Sequence, residues 1–330
     1  MNSVKLSRRY WLCTVAGLAA VFALPLAAHA KTYPIKPIKI IVPFAPGGGN
    51  DVFARQLATQ LGLQLGVQVI VDNRAGAGGT VGTDAAAKSA ADGYTLLLGH
   101  TGTLAINPVL YPKLPYDARS SFVPVAPVAS AALVLVVPAA SPIRSFSDLL
   151  AGAKASPGKL TFASSGNGTG GHLAGELLEE LANVRLLHVP YKGTAPALTD
   201  LLGGQVDLMF SVIPSALPHI DGGKLRAIAI TSVNRSVRLP NVPTVAEGGI
   251  KGYESSLAYG LMAPKGTPDS VLKVLTAAVA KASETAALRD ALKAEGAERL
   301  SGSAADFAAL MQAESAKWGQ VINKAGIKPE

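Results

Sequence analysis

Four short glycine-rich stretches carry the residue types that could hold an anion: Gly47-Gly48-Gly49, Asn73 to Gly79, Ser164 to Gly171 and Tyr191 to Thr194. Glycine lets a backbone approach a ligand closely. Runs that read as helices follow these stretches, and a helix N-terminus offers free N–H groups and the positive end of the macrodipole. Such loops could grip a small carboxylate between them, and closure over it would exclude water and strengthen each hydrogen bond. The plainer reading stands beside this one, because glycine-rich turns between strand and helix occur in any α/β protein.

Other chemistries fit less well. Gly166-x-Gly168-x-x-Gly171 has dinucleotide spacing, but the next strand ends in Pro190-Tyr191 without an acidic residue for a ribose. No Gly-Lys-Ser/Thr follows the Gly47 run, so it is no Walker loop. His29, His100, His172, His188 and His219 have no metal-ligand spacing. Ser164-Ser165-Gly166 lacks the G-x-S-x-G elbow, and no carboxylate pair is placed for acid–base work. The residues predict a binding protein with no cofactor, no metal and no catalysis. An exported hydrolase is the rival from another class.

Single side chains have two readings each. Ser165 and Thr169 could donate hydroxyls to a carboxylate or merely cap a helix. Asp51 reads as an N-cap or as the holder of a bridging water. Arg74 could pair with a second carboxylate or brace its loop. Tyr191 could stack on the ligand or pack, and Lys192 reads as a solvated charge.

The elements that must position these residues alternate between strand and helix. Ile38 to Val42 is a strand, with a helix from Asn50 or Asp51 to about Gly62. Val67 to Val71, a helix from Thr80 to Ala91 and Tyr94 to Leu98 follow, the last ending in Gly99-His100-Thr101-Gly102. Phe122 to Val128 and Ala132 to Val137 read as two connecting strands. A second series then runs through a helix capped by Ser145, strands at Lys159 to Ala163, Arg185 to Val189 and Val206 to Phe210, and helices at His172 to Leu181 and Pro196 to Leu202. The stretch 42–61 parallels 162–181, which predicts two α/β lobes with ligand loops at the carboxyl ends of their strands. Later helices, including one from about Ser303 to Lys324, are expected to return to the first lobe. That assigns 31–130 with 232–330 to lobe 1 and 131–231 to lobe 2, with two crossings suited to a hinge.

Residues 1–30 read as an export signal cleaved after Ala30: Lys5, Arg8 and Arg9, an apolar run, then Ala28-His29-Ala30. Ser7-Arg8-Arg9-Tyr10-Trp11-Leu12 leaves the twin-arginine route open. The single cysteine, Cys13, lies in this segment, so the remaining chain has neither disulfides nor thiolate sites. The chain has 30 basic and 22 acidic residues, three of the basic ones in the signal. The remaining excess is mild and spread out, which argues against nucleic acid.

Three long stretches carry a family resemblance: 33–55, 69–117 and 189–210. They resemble the substrate-binding proteins of tripartite tricarboxylate transporters, also called the Bug family, over essentially all of the mature chain. The resemblance implies a periplasmic, two-lobed trap for di-, tricarboxylic or aromatic acids, and a monomer is expected. It also implies membrane transporter subunits as partners, or in some relatives a sensor. It carries the ligand set onto Phe44, Ala45, Pro46, Gly47, Gly48 and Asp51 in the first loop, and onto Arg74, Gly76, Gly78 and Gly79 in the second. His100 and Thr101 follow, then Ser165, Gly166, Asn167, Thr169, Gly170 and His172. Tyr191, Lys192, Gly193 and Thr194 complete the loops, with Asp207 ordering its neighbours. Ala45 replaces a usual proline and Gly49 is added, which alters the first loop's shape. His100 stands where many relatives have a smaller polar residue, and is the expected specificity position.

Overall fold

The computed structural model describes residues 33–47 and 49–329. The predicted signal, Cys13 and Gly48 lie outside them. Lys36–Glu330 forms one compact unit, and of Met1–Ile35 only residues 33–35 are described.

Ten strands among the described residues run in the order β2-β1-β3-β9-β4-β7-β5-β6, with β8 and β10 also on β4. The first group is parallel: β1 (Ile38–Val42) lies between β2 (Val69–Asn73) and β3 (Thr95–His100). The second group is also parallel: β5 (Thr161–Ser164) lies between β6 (Leu187–Pro190) and β7 (Leu208–Val212). Two antiparallel strands join the groups. β9 (Ser256–Pro264) pairs β3 on one side and β4 (Phe122–Pro138) on the other. β4 then pairs β7 and β8 (Leu225–Ile230) through its later residues, and β10 (Ala297–Arg299) through Ala129–Ala131.

The sequence predicts two strands where β4 is one. Pro124 and Pro127 interrupt its run of Val, Ala and Leu, but the ladder to β9 passes them through register shifts and every partner is antiparallel, so a single strand serves both groups. The alternation of a strand shows directly in its later half. Leu133, Leu135 and Val137 enter one core with Phe162, Leu173 and Phe210; Val134 and Val136 enter another with Ala197, Leu201 and Ile213. A third core gathers Ile41, Leu97, Met262 and Phe307.

Helices cover both groups. α1 (Gly49–Leu65) follows β1, α2 (Thr80–Ala87) follows a 3₁₀ turn after β2, and α3 (Asn107–Leu110) follows a π turn after β3. α4 (Phe146–Ala155) starts at Ser145, the cap its sequence predicts, and Asp148 completes a capping box. α5 (Gly170–Ala182), α6 (Thr194–Leu202) and α7 (Ile213–Asp221) follow β5, β6 and β7 in turn. α8 (Asp269–Ser283), α9 (Ala286–Ala294) and the long α10 (Ala304–Ala325) close the chain. α10 is shared: Phe307 and Met311 pack with the β1–β3 core, while Trp318, Val321 and Ile322 pack with Leu173 and Phe162. Among the described residues no helix is long and apolar enough to cross a membrane.

A cavity ringed by helix N-termini

The carboxyl ends of β1, β3, β5 and β7 open onto a cavity of about 450 Å³. That lies within the range of small-molecule sites. Its walls include Phe44, Phe53, Ile106, Leu110, Leu133, Met209, Phe210 and Leu257, so most of it is apolar. Polar groups come from Asn50, His100, Ser165, Asn167, Thr169, Thr194, Ser211, Ser215, Tyr259 and Glu295. Among the described residues no Lys or Arg lines it.

What replaces a cation is backbone. α5, α6 and α7 all begin at the cavity, through Gly170 and Gly171, Thr194, and Pro214 with Ser215. No side chain caps any of the three, so their first-turn N–H groups keep the positive end of each dipole for a ligand. α1 contributes Asn50 from its first turn.

The first loop is held by a network under it. Asp51 accepts from the Gly47 N–H at 3.0 Å and from Arg55 Nε at 2.9 Å. Arg55 also donates to Asn73 Oδ1, and Asn73 Nδ2 donates to the Phe44 carbonyl at 3.1 Å. Burial alone would raise the Asp51 pKa, but the bonds from Arg55 and Gly47 outweigh it and hold Asp51 below its ordinary value. Asp51 is the third residue of α1, not its N-cap, and it fixes Gly47 from within the helix. Phe44 and Gly47 line the cavity; Ala45, Pro46 and Asp51 do not.

In the second loop only Gly78 reaches the cavity, its carbonyl accepting from Asn107 Nδ2 at 3.0 Å. Gly76 and Gly79 are left-handed, with φ of 143° and 89°. A Cβ on Gly79 would lie 2.9 Å from Phe44 Cζ, so this glycine makes room for the Phe44 ring. Arg74 turns outward and pairs with Asp72 at 3.0 Å.

His100 joins an aromatic wall. Its ring stacks on Phe44 at 4.9 Å and tilts against Tyr259 at 5.5 Å, and Tyr259 meets Phe53 edge-on at 5.1 Å. Burial lowers the His100 pKa to about 4, so the ring is neutral near pH 7. Its Nδ1 accepts from the Gly102 N–H at 2.7 Å, which leaves the proton on Nε2. Thr101 is fully buried, and its Oγ1 accepts from the Ala258 N–H, tying β3 to β9.

The third loop is braced from behind. Ser164 Oγ meets the Gly166 carbonyl and His188 Nε2, Thr169 Oγ1 donates to the same carbonyl, and the Gly168 N–H donates to His172 Nδ1. Ser165, Asn167, Thr169 and Gly170 line the cavity, whereas Gly166 and His172 support it. In the fourth loop Thr194 lines it. Gly193 turns at φ 120°, Tyr191 donates its hydroxyl to Asp200 at 2.8 Å, and Lys192 is exposed. Asp207 lies elsewhere: its carboxylate accepts from the Thr161 N–H and hydroxyl at the opposite ends of β5 and β7.

Several lining residues escape sequence reading. Ser211, Pro214 and Ser215 could have been found from a proline just inside a helix start after a strand. Tyr259, Leu257 and Glu295 come from distant segments with no such signal.

Known proteins share this sequence and fold. Residues 53–327 match the family described as the tripartite tricarboxylate transporter family receptor. Protein BugT of Bordetella pertussis is 40% identical over 318 residues, 96% of this chain and 98% of that protein. A Rhodopseudomonas palustris protein solved with adipate (R. palustris Rpa4515) superposes with a TM-score of 0.81 at 35% identity, over 90% of this chain and 100% of that one. MatC from the same organism, solved with bound malate, gives 0.76 at 33%, over 88% and 100%. With its two-lobed α/β architecture, this chain belongs to the tripartite tricarboxylate transporter family receptors, which are solute-binding proteins rather than enzymes.

Proposed function

We propose that this protein captures a small carboxylate in the cavity and presents it to the membrane subunits of a tripartite tricarboxylate transporter. One observation carries the reading: the uncapped N-termini of α5, α6 and α7 meet at one cavity whose described lining has no Lys or Arg. Helix N-termini supply an anion with several N–H donors and a favourable dipole. The relatives with adipate and malate support a carboxylate as the class of cargo.

The proposed work is binding and release. In this reading residues 31–130 with 232–330 form one lobe and 131–231 the other, and the chain crosses between them near Ala129–Ala132 and near Thr231–Arg238. Thr231 supports a hinge there, since its hydroxyl bonds both Leu133 and the Ser255 carbonyl. Export through residues 1–30 would place the protein in the periplasm, where cargo is met.

The test is calorimetric titration of refolded, ligand-free mature protein with di-, tri- and aromatic carboxylates, with product analysis. Stoichiometric binding of at least one acid, returned unchanged, is the expected result. Turnover of the acid, or no heat with any of them, would overturn the reading.

A further inference from the structure

Glu295 is a carboxylate in the wall of a cavity built for carboxylates. Among the described residues its side chain makes no hydrogen bond or ion pair. Burial raises its pKa, with no cation to oppose the shift. Lys293, in the last turn of α9, is exposed and does not line the cavity.

The chain fixes where Glu295 sits. It follows α9 directly, and its N–H donates to the Ala291 and Leu292 carbonyls, so the negative end of that helix dipole lies at the same place. The next residue, Gly296, is pressed onto the start of α7: a Cβ there would lie 2.7 Å from Ile213 Cγ2. Glu295 therefore lines the same cavity as Pro214 and Ser215 at the start of α7. The N-termini of α5 and α6 line this cavity too and are uncapped, ready for a ligand carboxylate. Phe44, Phe53, Leu133 and Phe210 supply apolar wall in the same cavity.

We infer that Glu295 selects a singly ionised acid with an apolar middle whose far end donates a hydrogen bond or carries an ammonium group. This rests on the proposal of carboxylate capture and narrows it. A second ionised carboxylate would face an unpaired like charge in a cavity without cations, which is repulsive. A hydroxyl, amide or ammonium group at that end would give Glu295 the partner it lacks.

Matched probes test this: 6-aminohexanoate against adipate, and 4-(aminomethyl)benzoate against terephthalate, titrated into mature wild-type protein and Glu295→Gln. In wild type the amino acids are expected to bind at least about tenfold more tightly than the diacids, and in Glu295→Gln the preference is expected to fall by about tenfold or more. Diacids binding wild type as tightly as their amino partners, with the same order in Glu295→Gln, would overturn the role of Glu295 while leaving carboxylate capture standing. If none of the four probes nor any other carboxylate bound either folded protein, both readings would fall together.

Discussion

The His172 and His188 rings lie face to face, their centroids 3.7 Å apart and their planes 9° from parallel. Each ring holds the third loop: His172 through the Gly168 N–H, His188 through Ser164. Burial first, and the neighbouring His172 second, push the His188 pKa down to about 3.

That depression has a stability consequence with a definite sign. In the unfolded chain a histidine takes up its proton near the ordinary value of about 6.5. Folded His188 does so only at about 3, and folded His100 at about 4. Between those values the unfolded state binds more protons, so stability falls as pH drops, by at most about 1.4 kcal/mol per pH unit for each group. Thermal unfolding followed from about pH 7 to 4.5 should show a falling Tm, with a shallower fall in His188→Gln. A Tm independent of pH over that range would contradict this account.

Asp51→Asn should loosen the first loop from beneath, since Asp51 holds Gly47 without itself lining the cavity. The carboxylate that holds the Gly47 N–H and Arg55 becomes neutral, and charge-assisted bonds of this kind contribute about 1.5–3 kcal/mol. Urea unfolding is expected to show a loss of about 1–2 kcal/mol, and calorimetry a weaker cargo affinity. Unchanged affinity in a destabilised variant would separate loop order from binding.

Two glycines with nearly the same backbone angle make a controlled pair. Gly47 has φ 86° and nothing within 4 Å of a built Cβ, while Gly79 has φ 89° and would meet Phe44 and Thr103. Gly47→Ala should cost about 1 kcal/mol of backbone strain. Gly79→Ala adds overpacking of about 1–3 kcal/mol and moves the Phe44 ring against His100, so cargo affinity should fall as well. Equal effects of the two on stability and binding would show that Phe44 is not held where the cavity needs it.

The loops were the legible part of the sequence, because strand, glycine, helix is a local pattern. Ser145 and Ser303 mark their helix starts in the sequence, and the structure adds a capping box at each. The middle of the fold was not legible. Ser256 to Pro264 is rich in Leu, Ala and Met, residues that favour helix, and it becomes a strand only because β3 and β4 supply partners on both sides. Asp207 sits near loop residues in sequence, yet its carboxylate belongs to the other end of the sheet. Glu295 and Tyr259 reach the cavity through tertiary packing alone, which no spacing along the chain records.

Trp318 tests whether α10 braces the second group of strands. Its ring is buried, and its Nε1 donates to Glu314 Oε2 at 2.6 Å. Trp318→Ala should cost about 3–5 kcal/mol, read as a lowered denaturant midpoint with the slope unchanged. A loss below about 1 kcal/mol would mean that the helix packs less closely than its buried side chains imply.

The most direct measurement is a crystal structure of refolded protein with whichever acid gives the largest thermal shift, where saturation a hundredfold above Kd adds about 2.7 kcal/mol. The account predicts carboxylate oxygens within hydrogen-bond distance of the first-turn N–H groups of α5 or α6, beside Ser165 and Thr194, with no Lys or Arg in contact. A carboxylate bound outside this cavity, or paired with a cationic side chain, would contradict it.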